Sequence, residues 1–137
     1  MGIAGADTAE NNPGSPDCVV TPLYCALPRG PDDPPILHDL HPIRLLPGSQ
    51  LRSIYGTEIV EAGHFCNYGV NPEYMSRFEA AGMRIAGVGD GGEVRAVELP
   101  ELRFYVTTLF HPQLESRPGM PSPFVTAFVE AARGRSA

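Results

Sequence analysis

Apolar and polar residues alternate through the first half of the chain in a way that predicts several short strands. The segment "CVVTPLYCAL" (18–27) is apolar, carries β-branched residues and predicts a strand with a proline interruption. "ILHDLHPIRLL" (36–46) alternates in part and "TEIVEAGHF" (57–65) does the same, so each predicts a further strand. Between the first two lies "PRGPDDPP" (28–35), whose four prolines predict a surface turn.

The second half of the chain begins with a predicted β-hairpin. Two alternating runs within 83–100 flank a glycine-rich turn at 90–92, and no helix follows that turn, so a phosphate-binding loop is not indicated. Glu98 and Glu101 are interpreted as a solvated strand end. "RFYVTTLF" (103–110) is almost continuously apolar, which is typical of a strand buried on both faces of a sheet.

Capping signals predict helices between and after these strands. The segment 47–56 has Ser49 as a predicted N-cap and Gly56 as its end. The segment 71–82 starts with an Asn-Pro pair and stops at a glycine, which is the strongest helix signal in the chain. The amphipathic segment 121–134 predicts a closing helix.

These elements predict an α/β fold, with a mixed sheet and flanking helices, in one domain that covers 1–137. Segments 1–17 and 28–35 are rich in proline and small polar residues and are predicted loops. Few helices are available in the first third of the chain to cover a sheet. We therefore expect an exposed sheet edge, covered by a second copy of the chain or by a partner chain.

Composition places the chain among globular proteins. It has 137 residues, of which 42% are hydrophobic and 19% are charged. The net charge of −6 argues against nucleic acid or an anionic membrane as the partner, because phosphates repel an acidic surface. No apolar run approaches the roughly 18 residues that span a bilayer.

Cysteine usage indicates a reducing compartment. The three cysteines, Cys18, Cys25 and Cys66, show no CxxC spacing, so neither a disulfide framework nor a zinc site is predicted. Cys18 and Cys25 lie in a predicted strand and are expected to be packing residues. The first 17 residues lack the basic start and apolar centre of a secretion signal. We predict a cytoplasmic protein with free thiols and no metal.

Three longer stretches carry a resemblance to a known family. From residue 36 to 132 the chain resembles the C-terminal half of the class I glutamine amidotransferase domain of CTP synthase, which implies a flavodoxin-like fold. "CNYGVN" and "PLYCAL" are more similar to an offshoot, the CTP synthase C-terminal region-related (seleno)proteins. The three stretches are "LLPGSQLRSIYG", "YGVNPEYMSRFEAAGMRIAGVGDGGEVRAVELPE" and "LFHPQLESRPGMPSPFVTAFVEAA".

The resemblance implies roles for two residues near the end of the chain. In that family a cysteine on a strand-to-helix turn attacks the side-chain amide of glutamine, a histidine activates the cysteine, and a glutamate orients the histidine. His111 matches the histidine, and Gln113 stands at the glutamate position. An amide accepts a hydrogen bond from imidazole but lacks the carboxylate charge, so a loss of up to about 10⁴ in rate is expected.

Other positions depart from the family pattern. The nucleophile turn, of the form Gly-x-Cys-x-Gly-x-Gln, does not occur in the 137 residues, which predicts a truncated domain that is inactive alone. Phe65 and Asn67 occupy positions where the family has arginines for the substrate carboxylate. His64, Asn67 and Tyr68 are the remaining candidates for substrate contacts. No ATP- or UTP-site motif is present, and no cofactor is predicted.

The sequence leaves three functions open. The first is a glutaminase fragment with glutamine, or a similar small molecule, as ligand. The second is a non-catalytic binding or regulatory module, which Gln113 and the lost arginines favour. The third is a thiol enzyme that uses Cys66 with His64 or His111, although an inert buried cysteine and a structural histidine are the alternatives at these positions.

Overall fold

The computed structural model describes residues 2–23, 40–63 and 68–134. Within these ranges the chain forms eight strands, three α-helices and two 3₁₀ turns. The strands are β1 (Asp7–Thr8), β2 (Cys18–Pro22), β3 (Leu40–Leu45), β4 (Ile59–Gly63), β5 (Tyr68–Val70), β6 (Arg84–Val88), β7 (Val94–Glu98) and β8 (Val106–Thr108). The helices are α1 (Gln50–Tyr55), α2 (Met75–Ala80) and α3 (Pro123–Ala132), and the 3₁₀ turns are Pro72–Tyr74 and Pro112–Glu115.

The strands form two sheets. The larger sheet has five strands in the order β4-β3-β6-β7-β8, and all of its pairs are antiparallel. The smaller sheet has the order β1-β2-β5, in which β1 is parallel and β5 antiparallel to β2. The predicted α/β class with a mixed sheet and flanking helices is confirmed. The division into two sheets was not predicted, because it depends on pairings between distant segments.

The main core lies on the face of the larger sheet that packs against α1 and α3. Its largest fully buried apolar side chains come from the segment after β8, from β3 and from α1, and are Phe110, Ile43, Leu45 and Leu51. Burying each such side chain contributes about 1.5–3 kcal/mol. This core therefore fixes the position of the chain just before residue 111.

The local capping signals are confirmed. The Ser49 hydroxyl oxygen accepts the backbone N–H of Arg52 at 3.0 Å, and Gly56 ends α1 with φ of 66°. The Asn71 side chain accepts the N–H of Glu73 at 3.0 Å, although the segment it caps starts as a 3₁₀ turn before becoming α2. Short-range signals were sufficient here because cap and partner are three or fewer residues apart.

The predicted burial of 103–110 on both faces is wrong. Only Val106–Thr108 is strand, it forms the edge of the larger sheet, and Thr107 is exposed. The strand buried on both faces is β7, all five of whose residues are buried. Its neighbours β6 and β8 cover both of its edges, and β5 contacts it as well. Position within the sheet, and not apolar content, decides which strand is enclosed.

The interpretation of Glu98 as a solvated residue is also wrong. Glu98 is 1% exposed, and its Oε2 accepts the backbone N–H groups of Gln50 at 2.9 Å and Leu51 at 3.4 Å. Its Oε1 accepts a hydrogen bond from Arg84 at 3.3 Å. The carboxylate thereby satisfies donors that the first turn of α1 leaves unpaired. Glu101 is exposed, as predicted.

Some predictions concern residues outside the described ranges, among them the turn at 28–35, Cys25 and the start of the strand at 36–46. Within the described part of the chain, Cys18 is a buried free thiol, as predicted. The two-residue strand β1 lies in the predicted loop 1–17. No described helix has the length and apolar character that crossing a membrane requires.

Candidate functional site

Two strand ends from opposite edges of the larger sheet meet at His111. The backbone N–H of His111 donates to the carbonyl of Gly63, the last residue of β4, at 2.9 Å. On the other side, the N–H of Leu109 donates to the carbonyl of Arg95 in β7 at 2.8 Å. Since β4 and β8 are the two edge strands, the sheet curls until its ends are bridged through this histidine.

His111 is half-buried and stands directly before a short turn. Its carbonyl accepts the N–H of Leu114 at 3.0 Å, and Pro112 is buried at the first position of the 3₁₀ turn. Phe110 on the other side belongs to the core. The imidazole is thus carried by backbone that is fixed before and after it, and it lies at a sheet margin and not in a sealed interior.

The other predicted site residues lie in separate elements or outside the described residues. Gln113 is exposed in the 3₁₀ turn, and its amide makes no hydrogen bond with another described residue. Tyr68 is half-buried at the start of β5, where it pairs with Pro22 of β2. His64, Cys66 and Asn67 lie outside the described residues, so their predicted roles stay predictions.

A carboxylate anchors the turn that follows the histidine. The Tyr55 hydroxyl donates to both oxygens of Glu115 at 3.0 Å, and the Ser122 hydroxyl donates to Oε2 of Glu115 at 3.3 Å. Burial raises the pKa of Glu115, and burial together with the nearby Glu115 charge raises the pKa of Tyr55 well above its usual value. The anchor joins α1, the 3₁₀ turn and the start of α3.

A buried ion pair lies where β7 meets the segment that leads to His111. Arg95 of β7 donates to Oε1 of Glu93 through Nε at 2.9 Å and through Nη2 at 2.7 Å. Burial alone raises the pKa of Glu93, but the backbone N–H groups of Glu93 and Gly91 and the Arg95 guanidinium outweigh it, so the pKa is lowered. This pair could not be predicted from the sequence, because arginine in an alternating run usually faces solvent.

Two clefts open around α1. One, of about 470 Å³, is lined by Gly48, Gln50, Arg84 and Glu98 among others, and the other, of about 590 Å³, lies between α1 and α3. Neither cleft includes His111, Gln113 or Tyr68 in its lining. In the described ranges, no three His, Cys, Asp or Glu side chains are grouped so that they could hold a metal ion.

Two known proteins that are similar to this chain in sequence are both CTP synthases. The CTP synthase of Streptococcus sanguinis (strain SK36) is 35% identical over 138 residues, which cover 99% of this chain and 26% of that protein. The CTP synthase of Thermococcus kodakarensis is 32% identical over 139 residues, which cover 97% of this chain and 25% of that protein. The chain thus spans about a quarter of the length of these relatives. It matches no family model.

A solved structure gives the same result in three dimensions. The glutaminase domain of Trypanosoma brucei CTPS, solved with bound acivicin, superposes with a TM-score of 0.81 at 29% identity. The match covers 99% of this chain and 53% of that chain. The described architecture is therefore that of the class I glutamine amidotransferase fold, as the sequence predicted.

Proposed function

We propose that this chain carries the histidine-bearing part of a CTP synthase-like glutaminase site, which hydrolyses the side-chain amide of glutamine to supply ammonia. The observation that carries the proposal is the placement of His111 where the two edge strands of the curled sheet meet. The similarity to the T. brucei glutaminase domain supports it. The same similarity makes glutamine the small-molecule ligand that we expect.

The chemistry assigns a proton transfer to His111. Its imidazole takes the proton from a cysteine thiol, and the thiolate attacks the amide carbon of glutamine to form a carbon–sulfur bond. The imidazolium then donates this proton to the amide nitrogen of the tetrahedral intermediate, the carbon–nitrogen bond breaks, and ammonia leaves. Water activated by the same imidazole then hydrolyses the thioester to glutamate and the free thiol.

The cysteine that this scheme requires is not one of the three cysteines in the 137 residues. None of Cys18, Cys25 and Cys66 stands two residues after a glycine, as the Gly-x-Cys turn requires. We infer that the nucleophile comes from polypeptide beyond these 137 residues, and that the 137 residues alone release no ammonia. We further propose that Gln113 orients His111 weakly and that His64, Asn67 and Tyr68 contact the substrate.

The test supplies the nucleophile in a separate polypeptide. The chain is co-expressed with the N-terminal half of the glutaminase domain of a CTP synthase relative, and ammonia release from glutamine is measured in the purified complex. We expect release that is lost in His111→Ala. The control is His41→Ala, which changes an exposed histidine in β3 and should leave the rate unchanged. Ammonia release that persists in His111→Ala contradicts the proposal.

A second candidate is a binding or regulatory module that keeps the scaffold without the reaction. The exposed amide of Gln113, without a described hydrogen-bond partner, favours it. This candidate predicts that glutamine binds to the complex with no ammonia released. We also expect kinship with the (seleno)protein offshoot and a cytoplasmic location, for which the sequence alone is the basis.

A further inference from the structure

The carboxylate of Glu115 joins three elements at one point. The Tyr55 hydroxyl, at the end of α1, donates to both of its oxygens at 3.0 Å, and the Ser122 hydroxyl, directly before α3, donates to Oε2 at 3.3 Å. Glu115 itself is the last residue of the 3₁₀ turn Pro112–Glu115, which starts directly after His111. The carboxylate therefore fixes the far end of the turn whose near end carries the histidine.

Ser122 uses its hydroxyl for this contact and not for its own helix. It is the N-cap residue of α3, yet its side chain makes no hydrogen bond to the first turn of that helix. The serine before α1 behaves in the usual way, since Ser49 accepts the N–H of Arg52 at 3.0 Å. Both serines are 1% exposed, so burial does not distinguish them. The contact with Glu115 thus takes the place of a helix cap.

Backbone contacts hold the near end of the turn. The His111 N–H donates to the Gly63 carbonyl at 2.9 Å, and the His111 carbonyl accepts the N–H of Leu114 at 3.0 Å. Pro112 is buried at the start of the turn, and its ring fixes its own φ. Because Glu115 is anchored as well, the backbone that carries the imidazole is held on both sides.

Position 113 does not supply this support. Gln113 stands where the similar family has the glutamate that orients the histidine, and its side chain is exposed. A 3₁₀ helix has about three residues per turn, so side chains two residues apart point in different directions. Glu115 accordingly reaches α1 and the start of α3, while Gln113 faces solvent. The turn thus keeps one half-buried carboxylate, two residues further along the chain.

We propose that Glu115 is a positioning residue for the glutaminase reaction. Through Tyr55 and Ser122 it fixes the turn that holds the His111 imidazole in place for proton transfer. This inference rests on the proposed function, because it assigns the residue a role in that reaction. A base must lie within hydrogen-bond reach of the proton that it takes, and a misplacement of about 1 Å can reduce the rate about 100-fold. Glu115 supports through the backbone the histidine that the family's glutamate contacts directly.

The first test measures hydrogen exchange of single backbone amides by NMR in the 137-residue chain. In Glu115→Ala we expect the His111 N–H to exchange about tenfold faster than in the wild type, because the turn opens locally. The reference is the Leu46 N–H, which donates to the Ala86 carbonyl at 2.9 Å, and its exchange rate should not change. Equal acceleration of the two amides, or no acceleration at His111, would overturn the inference.

Two further variants remove one contact each. Tyr55→Phe deletes the hydroxyl from α1, and Ser122→Ala deletes the hydroxyl before α3. Each should accelerate exchange at His111 by a smaller factor than Glu115→Ala and leave Leu46 unchanged. These variants decide the matter if Glu115→Ala does not fold.

The second test measures ammonia release in the complex that supplies the nucleophile. We expect Glu115→Ala to lower kcat about tenfold to 100-fold and to change KM for glutamine less than about threefold, since the loss falls on proton transfer. Glu115→Gln keeps an oxygen that can accept the Tyr55 hydroxyl, so it should recover most of kcat. The matched control, Glu130→Ala, removes a carboxylate that pairs with Arg133 at the end of α3 and should change neither constant.

Three results of the second test would refute the positioning role. They are a higher KM with an unchanged kcat in Glu115→Ala, an equal loss of kcat in Glu115→Ala and Glu115→Gln, and an equal loss in the Glu130→Ala control.

This inference and the proposed function fail in different ways. Faster exchange at His111 in Glu115→Ala, with no ammonia released by the complex, would support the anchor and contradict the proposed hydrolysis. Ammonia release that depends on His111 but keeps its wild-type kcat in Glu115→Ala would overturn this inference alone.

Discussion

The Glu98 carboxylate accepts the backbone N–H of Gln50 at 2.9 Å and so ties β7 to the first turn of α1, across 48 residues of sequence. A charged acceptor at a helix start satisfies orphan donors and complements the helix dipole. We predict that Glu98→Gln lowers the free energy of unfolding by about 1–3 kcal/mol, measured by urea denaturation. A change below 0.5 kcal/mol, which is about what a surface substitution gives, would contradict it.

The matched control for this substitution is Glu101→Gln. Glu101 is three residues further along, exposed, and takes part in no described hydrogen bond. We expect the control to change stability by less than about 0.5 kcal/mol.

The Tyr55–Glu115 contact predicts a loss of stability in alkali. The pKa of Tyr55 in the folded chain is raised above its ordinary value of 10.0, so its contribution to stability is present below pH 10 and is lost as the pH rises beyond it. Thermal unfolding of the wild type should therefore become easier above pH 10, and less so in Tyr55→Phe. The half-exposed Tyr105→Phe is the control and should follow the wild-type pH profile.

A double-mutant cycle tests the same contact at neutral pH. Tyr55→Phe and Glu115→Gln, each alone and together, should show a coupling of about 1 kcal/mol in the free energy of unfolding. Additive effects would show that the carboxylate does not hold α1 to the turn after His111.

Gln113 gives a gain-of-function prediction that follows from the proposed function. In the complex that supplies the nucleophile, Gln113→Glu should raise the rate of ammonia release between about tenfold and 10⁴-fold, because a carboxylate stabilises the imidazolium. The smaller value applies if a thiolate–imidazolium pair already exists. Gln113→Ala is the control, and an equal increase in that variant would refute the charge argument.

The edge of the larger sheet predicts self-association. β4 is an edge strand, and Ile59 at its start is 54% exposed. We expect the mass from light scattering to rise with protein concentration, and Ile59→Lys to reduce that rise, because an edge charge opposes strand pairing. Leu102→Lys, at 50% exposure but outside the strands, is the control. A monomeric wild type at all concentrations would rule out this edge as an interface.

Local features of the fold could be predicted from the sequence because their causes are local. Ser49 and Gly56 set the ends of α1 through contacts within one turn. The hairpin β6–β7 follows from the glycine-rich turn between two alternating runs. His111 was identified through resemblance alone, and it lies three residues after the end of β8.

Features that depend on distant pairing could not be predicted. The three-residue strand β5 exists only through its pairing with β2, and its own sequence has no extended pattern. Glu98 and Arg95 have the residue types of an exposed strand, yet each is buried because its partner arrives from outside the run. Propensity describes a residue in isolation, whereas burial of a charge is decided by what packs against it.

The two charges of β7 have a consequence for how the sheet forms. Glu98 and Arg95 are three positions apart, so they point to opposite sides of the strand, one toward the first turn of α1 and the other toward Glu93. If β7 slipped by one residue against β6 or β8, each of the two side chains would point to the other face of the sheet. Both charges would then be buried in apolar surroundings without their partners. Misaligned pairings are thereby penalised at two points at once, and the strand accepts a single alignment.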